Sequence, residues 1–198
     1  MTKVAIKLLV DRSGSMLTGK RSAEDGIQSF IDGRKDEGGK QKISLSEFDT
    51  EYDQVYDFTD IALAPKYTLV PRGFTALYDS IAKAVKDLEE YKSDKERDRW
   101  LIIMTDGLEN ASKEHTKNSI KELLESKQAQ GWHVVYLGAN QDAIAEGFKI
   151  GVSEGSSLTY DVNSSGSALK SVAYMMSSPT SYTFSARDRN RAMGRKEE

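Results

Sequence analysis

The sequence predicts an α/β fold: a central, mainly parallel sheet with one antiparallel edge strand and helices on both faces. Three observations carry that expectation. Short apolar runs alternate with amphipathic segments over roughly the first 150 residues, the pattern of strands joined by crossover helices. Two of those runs, VAIKLLV and WLIIM, are followed closely by an aspartate, Asp11 and Asp106. One stretch, KISLSEFDTEYDQVYDF, reads as two strands around a short turn, which adds the antiparallel strand.

Taken in order, Val4 to Val10 reads as a buried strand interrupted only by Lys7. Ser22 to Arg34 reads as a helix, with Ile27, Phe30 and Ile31 at helical spacing. Gly26 and Gly33 weaken its intrinsic propensity. DEGGK (36–40) is a stop and a turn. Lys42 to Phe48 forms the next strand, Asp49 to Glu51 the turn, and Tyr52 to Phe58 the returning arm. Pro65 and Pro71 keep residues 59–73 from forming one long element. Thr75 to Tyr91 is a helix whose Leu77, Ile81, Val85 and Leu88 share one face. Thr75 is expected to cap it, and Asp79 sits at its positive end.

SDKERDR (93–99) reads as a solvated loop, and Trp100 to Met104 as a continuous apolar strand. Lys113 to Gln130 is a helix with Ile120, Leu123 and Leu124 inward and Gly131 closing it. His133 to Leu137 is a further buried strand. Residues 141–148 form a short helix, and Ala168 to Met176 a terminal one. One domain is therefore expected over 1–177, followed by a polar, flexible tail over 178–198.

Composition narrows the function classes. A chain of 198 residues with 38% apolar content fills one core. The net charge of −3 lacks the basic excess that phosphate backbones require, so no nucleic-acid partner is expected. With no cysteine, thiolate metal sites and cysteine nucleophiles are excluded, and His115 and His133 are too far apart in sequence to suggest a zinc site. No apolar run approaches the ~20 residues of a membrane span, so no membrane association is expected. The first apolar stretch is short and carries Lys7, which is not a signal-peptide pattern. A cytoplasmic location is the expectation.

In sheets of this class, ligands bind beyond the carboxyl ends of the strands. Asp11 and Asp106 should share that rim. Asp11 opens the pattern Asp11-x-Ser13-x-Ser15, in which Gly14 allows a tight bend. Thr75 lies in GFTALYDS at a loop-to-helix junction, and Asp106 lies in MTDGLEN. Two carboxylates and three hydroxyls form an all-oxygen donor set suited to a hard cation such as Mg²⁺.

These residues resemble the metal-ion-dependent adhesion site of von Willebrand factor A domains. That site combines D-x-S-x-S, a threonine in a loop before a helix, and an aspartate after a later strand. All five positions are present as Asp11, Ser13, Ser15, Thr75 and Asp106, within DRSGSM, G-x-T-A-L-Y-D and T-D-G. The likeness spans about residues 3–150, and the small size is similar to stand-alone members from bacteria and phages. The resemblance implies a Rossmann-like fold and a Mg²⁺ or Mn²⁺ ion held by the five residues. It further implies binding, without catalysis, to an acidic residue of a protein partner.

Two other functions are compatible with the same residues. One is a Mg²⁺-dependent hydrolase or phosphoryl-transfer enzyme, although the chain has no P-loop and no D-x-D pair. The other is a structural phage subunit in which the metal only stabilises. Simpler roles also exist for single residues. Ser13 and Ser15 could shape a turn, and Asp106 could serve only in one. Arg12 is expected to be exposed beside the site, and Phe74 at its mouth reads equally as contact or packing. Glu109 and Asn110, near Asp106, could rim the site but read more readily as a solvated loop, and Asp49 need not share the metal rim. Trp100 and Trp132 read as packing, His115 as surface, and Arg187, Arg189, Arg191 and Arg195 as part of a solvated tail.

Overall fold

Val4, Ile6, Leu8 and Val10 face one side of strand β1 (Lys3–Asp11), and Ala5 and Leu9 face the other. Both sides are buried, which is why the strand reads as an apolar run interrupted only by Lys7. The computed structural model describes residues 3–91, 97–178 and 182–195. Around β1 it arranges β2 (Lys40–Phe48), β3 (Tyr52–Asp60), β4 (Arg97–Thr105), β5 (His133–Ala139) and β6 (Ser157–Tyr160). The sheet order is β3-β2-β1-β4-β5-β6. All pairings are parallel except β2 with β3, so β3 is the antiparallel edge.

The helices divide between the faces. Ala23, Ile27, Phe30 and Ile31 of α1 (Lys20–Asp36) cover one face together with Ala168, Leu169, Val172 and Met175 of α5 (Ser165–Ser177). Gly26 permits this contact, since a Cβ there would lie 2.9 Å from the Gly166 amide nitrogen. Leu77, Ile81, Ala84, Val85 and Leu88 of α2 (Leu77–Glu90) cover the other face with Ile120 and Leu124 of α3 (Lys117–Ala129). The short α4 (Ala143–Lys149) follows β5 and adds Ala143 to that face. Gly131, at φ +88°, ends the α3 region in the left-handed conformation that a side chain resists.

Lys7 is the exception within the apolar run. It faces α2 between Ala5 and Leu9, fully buried, and donates to Ser44 Oγ at 2.9 Å, Ser46 Oγ at 2.7 Å and Asp87 Oδ2 at 2.7 Å. Burial lowers its pKa, and the Asp87 carboxylate opposes that shift.

Several elements differ from expectation. Four residues in the serine-rich stretch, Ser157–Tyr160, form β6 against β5. Arg97–Arg99 begin β4, and residues 93–96 of the expected charged loop lie outside the described residues. Thr75 does not cap α2, whose capping position is Ala76 with no side-chain hydrogen bond. Part of the expected tail is described over 182–195 and packs on the body. Phe184 and Ala192 are buried in the α1–α5 core, and Ser185 and Asp188 form a capping box that starts α6 (Ala186–Ala192). Among the described residues no helix is long and apolar enough to cross a membrane.

Candidate metal centre

The chain leaves β1 toward β2 on one side and leaves β4 toward β5 on the other. The carboxyl ends of β1 and β4 therefore border the crevice where such sheets bind ligands. Asp11 is the last residue of β1, and Asp106 follows Thr105 at the end of β4. A 3₁₀ turn over Gly14–Leu17 folds the chain back immediately after Asp11 and brings Ser13 and Ser15 to the same point.

A continuous chain of contacts links four of the five candidate residues. The Ser13 amide donates to Asp11 Oδ1 at 2.6 Å. Ser13 Oγ and Ser15 Oγ lie 3.0 Å apart, and Ser15 Oγ donates to Asp106 Oδ1 at 2.6 Å. Thr75 joins them through Gly107. A Cβ on Gly107 would lie 2.8 Å from Thr75 Oγ1 and 3.5 Å from Asp11 Oδ2, so the glycine leaves both oxygens room.

The loop carrying Thr75 is fixed on three sides. The Gly14 amide donates to the Gly73 carbonyl at 3.2 Å, and the Arg72 amide to the Arg12 carbonyl at 2.7 Å. The Ala76 amide donates to the Asp49 carbonyl at 2.9 Å. On the β4 side, the Thr75 amide donates to Asn110 Oδ1 at 2.9 Å, and the Asn110 amide returns to the Thr75 carbonyl at 3.0 Å. The Tyr78 amide, which a Thr75 cap would have used, donates instead to Glu109 Oε2 at 2.9 Å.

Behind the loop lies a charged network that local sequence did not foretell. Arg12 is buried rather than exposed. Its guanidinium reaches Glu47 at the end of β2, Asp49 beyond it at 3.0 Å, and Asp53 on β3. Arg72 also binds Asp49 Oδ2, at 2.7 Å. Burial works against the Asp49 charge, but the Glu51 amide and the two guanidiniums outweigh it and hold its pKa below the usual carboxylate value.

Asp11 has the opposite environment. It is fully buried, and among the described residues no lysine or arginine pairs with it or with Asp106. Burial pushes the Asp11 pKa up to about 6, against hydrogen bonds from Thr105 and Ser13 and with repulsion from Asp106 adding to the rise. Burial also raises Asp106, opposed by its bond from Ser15. Two close carboxylates with no cationic side chain form a site whose charge an added cation would balance. The oxygen donors and the space over Gly107 fit a small, hard ion. No cluster of three or more His, Cys, Asp or Glu side chains that could hold a metal occurs among the described residues, so any ion here depends on the hydroxyls.

Two further residues belong to the site: Thr105, which was not singled out from sequence, and Asn110, which read as a solvated loop. Thr105 donates to Asp11 Oδ2 at 2.6 Å and receives the Gly107 amide at 3.1 Å. Asn110 clamps Thr75 as described. Neither histidine joins the five. The His115 amide is bound by Asp79, and the His133 ring stacks on Trp100 at the start of its strand.

No protein-family model matches the sequence, and no curated protein matches it. Solved structures do. Proximal thread matrix protein 1 from the mussel byssus superposes with a TM-score of 0.69 at 17% identity, over 87% of this chain and 47% of that one. The same mussel protein was also solved with a zinc-occupied MIDAS motif. This chain thus spans about half the length of the mussel protein. The vWF domain of the type V pili tip protein Mfa5 from Porphyromonas gingivalis gives a TM-score of 0.71 at 14% identity, over 89% of this chain and 95% of that one. The SpRpn10 VWA domain gives 0.62 at 12% identity, over 93% and 100%. At these identities the likeness is one of fold, and the fold of this chain is that of a von Willebrand factor A domain.

Proposed function

We propose that this protein is a divalent-cation-dependent protein-binding module. In this reading Asp11, Ser13, Ser15, Thr75 and Asp106 hold Mg²⁺ or Mn²⁺, and the site takes a carboxylate from an acidic residue of a partner protein. The carrying observation is the buried Asp11 carboxylate, placed with Asp106 among hydroxyls and without a cationic side chain. The mussel structure with a zinc-occupied MIDAS motif supports a divalent ion at this place in the fold. A bound cation supplies a positive centre able to attract an acidic oxygen. The residues of the chain set how strongly. Ser13, Ser15 and Thr75 contribute neutral oxygens, which leave the ion more of its charge than further carboxylates would. Asp11 is oriented by Thr105 and the Ser13 amide.

The resemblance alone suggests a bacterial or phage interaction or assembly factor in the cytoplasm, binding rather than catalysing. Calorimetric titration with Mg²⁺ and Mn²⁺ tests the reading. Saturable binding is expected in the wild type, with loss in Asp11→Ala and in the exposed-site variant Ser15→Ala. Absence of binding by a folded wild type, or unchanged binding in both variants, would refute it.

A further inference from the structure

Leu17, Phe74 and Leu108 are strongly exposed, at 69%, 68% and 57%. Scattered exposed leucines need no explanation, but these three come from three different loops. Each lies within two residues of a candidate ligand: Leu17 after Ser15, Phe74 before Thr75, and Leu108 after Asp106. The fold therefore sets three large apolar side chains around one point, the crevice between β1 and β4.

Several polar groups near this point are engaged within the fold. Glu109 accepts from the amides of Tyr78, Ala111 and Ser112. Asp79 accepts from those of Lys113, Glu114 and His115. Asn110 holds Thr75, and Arg12 and Arg72 are engaged by Glu47, Asp49, Glu51 and Asp53. Leu17, Phe74 and Leu108 thus form an apolar collar beside the five oxygen-bearing residues, with the half-exposed Arg72 held in ion pairs to Asp49 and Glu51.

We propose that the partner segment docking on this face presents a carboxylate flanked by apolar side chains, which pack against Leu17, Phe74 and Leu108. The proposal rests on the metal reading above and specifies its ligand. The charge logic selects the occupant: the cation attracts the carboxylate, while the three collar side chains are uncharged and the neighbouring Arg72 is already paired with Asp49 and Glu51. A segment with polar flanks would leave these apolar side chains in water and would strand its own polar groups against them.

The test uses two synthetic nonapeptides with a central glutamate, one flanked by leucines and one by serines, with binding read by fluorescence anisotropy. In Mg²⁺ the leucine-flanked peptide is expected to bind about tenfold or more tighter. That binding should vanish in EDTA and when the central glutamate is replaced by glutamine. The combined variant Leu17→Ser, Phe74→Ser, Leu108→Ser should lose the preference. These side chains are exposed, so the fold should survive, as a thermal melt would show. If Mg²⁺ binds by calorimetry but the peptides bind equally, or neither binds, the collar proposal is overturned. A preference that persists in the combined variant overturns it too. Absence of Mg²⁺ binding in the peptide-free titration instead refutes the metal reading, and the collar proposal falls with it.

Discussion

Thr105 Oγ1 donates a 2.6 Å hydrogen bond to Asp11 Oδ2, tying the ends of two neighbouring parallel strands together at the centre of the candidate site. Groups that orient a metal ligand in this way typically account for about 10–100-fold in affinity. Thr105→Val is therefore expected to weaken Mg²⁺ binding by a factor in that range, while Thr105→Ser restores most of it. Calorimetry on the two variants checks this, and equal affinities for valine and serine would contradict the orienting role.

Gly107→Ala places a methyl group 2.8 Å from Thr75 Oγ1, closer than side-chain carbons settle without movement. The loop lies at the surface end of β4, so the sheet should remain intact by far-ultraviolet circular dichroism. Metal binding should fall to the level of Asp11→Ala. A variant that binds Mg²⁺ as the wild type does would show that Thr75 is not needed at that position.

The Asp49 carboxylate has its pKa depressed in the folded protein by the Glu51 amide, Arg72 and Arg12 acting against burial. The sign follows from proton linkage: between the folded and unfolded pKa values the unfolded chain binds more protons, so stability rises with pH. The contribution is complete above the ordinary value of 3.8 and is lost as pH falls through the lower folded value. Asp49→Asn removes it. Urea titrations from pH 7 down to pH 3 should show the stability gap between wild type and variant closing at the acid end.

Asp87→Ala leaves the Lys7 ammonium buried with only Ser44 and Ser46 as partners. Removing one member of a buried ion pair costs about 3–5 kcal/mol, and Asp87 itself is partly exposed, which favours the lower end. Urea denaturation at pH 7 reads the loss. The double change Lys7→Met, Asp87→Ala should recover much of it, because no uncompensated charge remains in the core.

Phe184→Ala tests whether the segment beyond α5 belongs to the domain. Phe184 is buried in the core beneath α1 and α5, and truncating a buried phenylalanine costs about 3–5 kcal/mol. A change below about 0.5 kcal/mol, as surface positions give, would show that the segment contributes little to folding.

What the sequence disclosed and what it withheld follow from the range of the interactions. The strands around Leu8 and Ile102 announce themselves because a strand buried on both faces is nearly continuous in apolar residues, Lys7 being the paired exception. The five oxygen-bearing residues were legible because each sits at a strand end or in a loop that the alternation places on one rim. Thr105 escaped notice because its bond to Asp11 depends on the register of β1 against β4, which no local pattern encodes. Arg12 read as exposed for a similar reason: Glu47, Asp49 and Asp53 surround it only once β2 and β3 pair. Ser157–Tyr160 is too short and too rich in hydroxyls to stand out as a strand, and α6 is hidden by the charge on its outer face.

The sheet order has a consequence for how the molecule is made. Its central pair, β1 and β4, joins segments some 94 positions apart, and the site exists only when that pair has closed. Contacts of such long range must overcome the entropy of closing a large loop, which makes folding slow compared with helical bundles. During synthesis β1 and β2 can associate early, yet the middle of the sheet waits for β4 to emerge. A ligand that recognises the assembled rim therefore discriminates between finished and unfinished chains, and its binding draws the population toward the finished form.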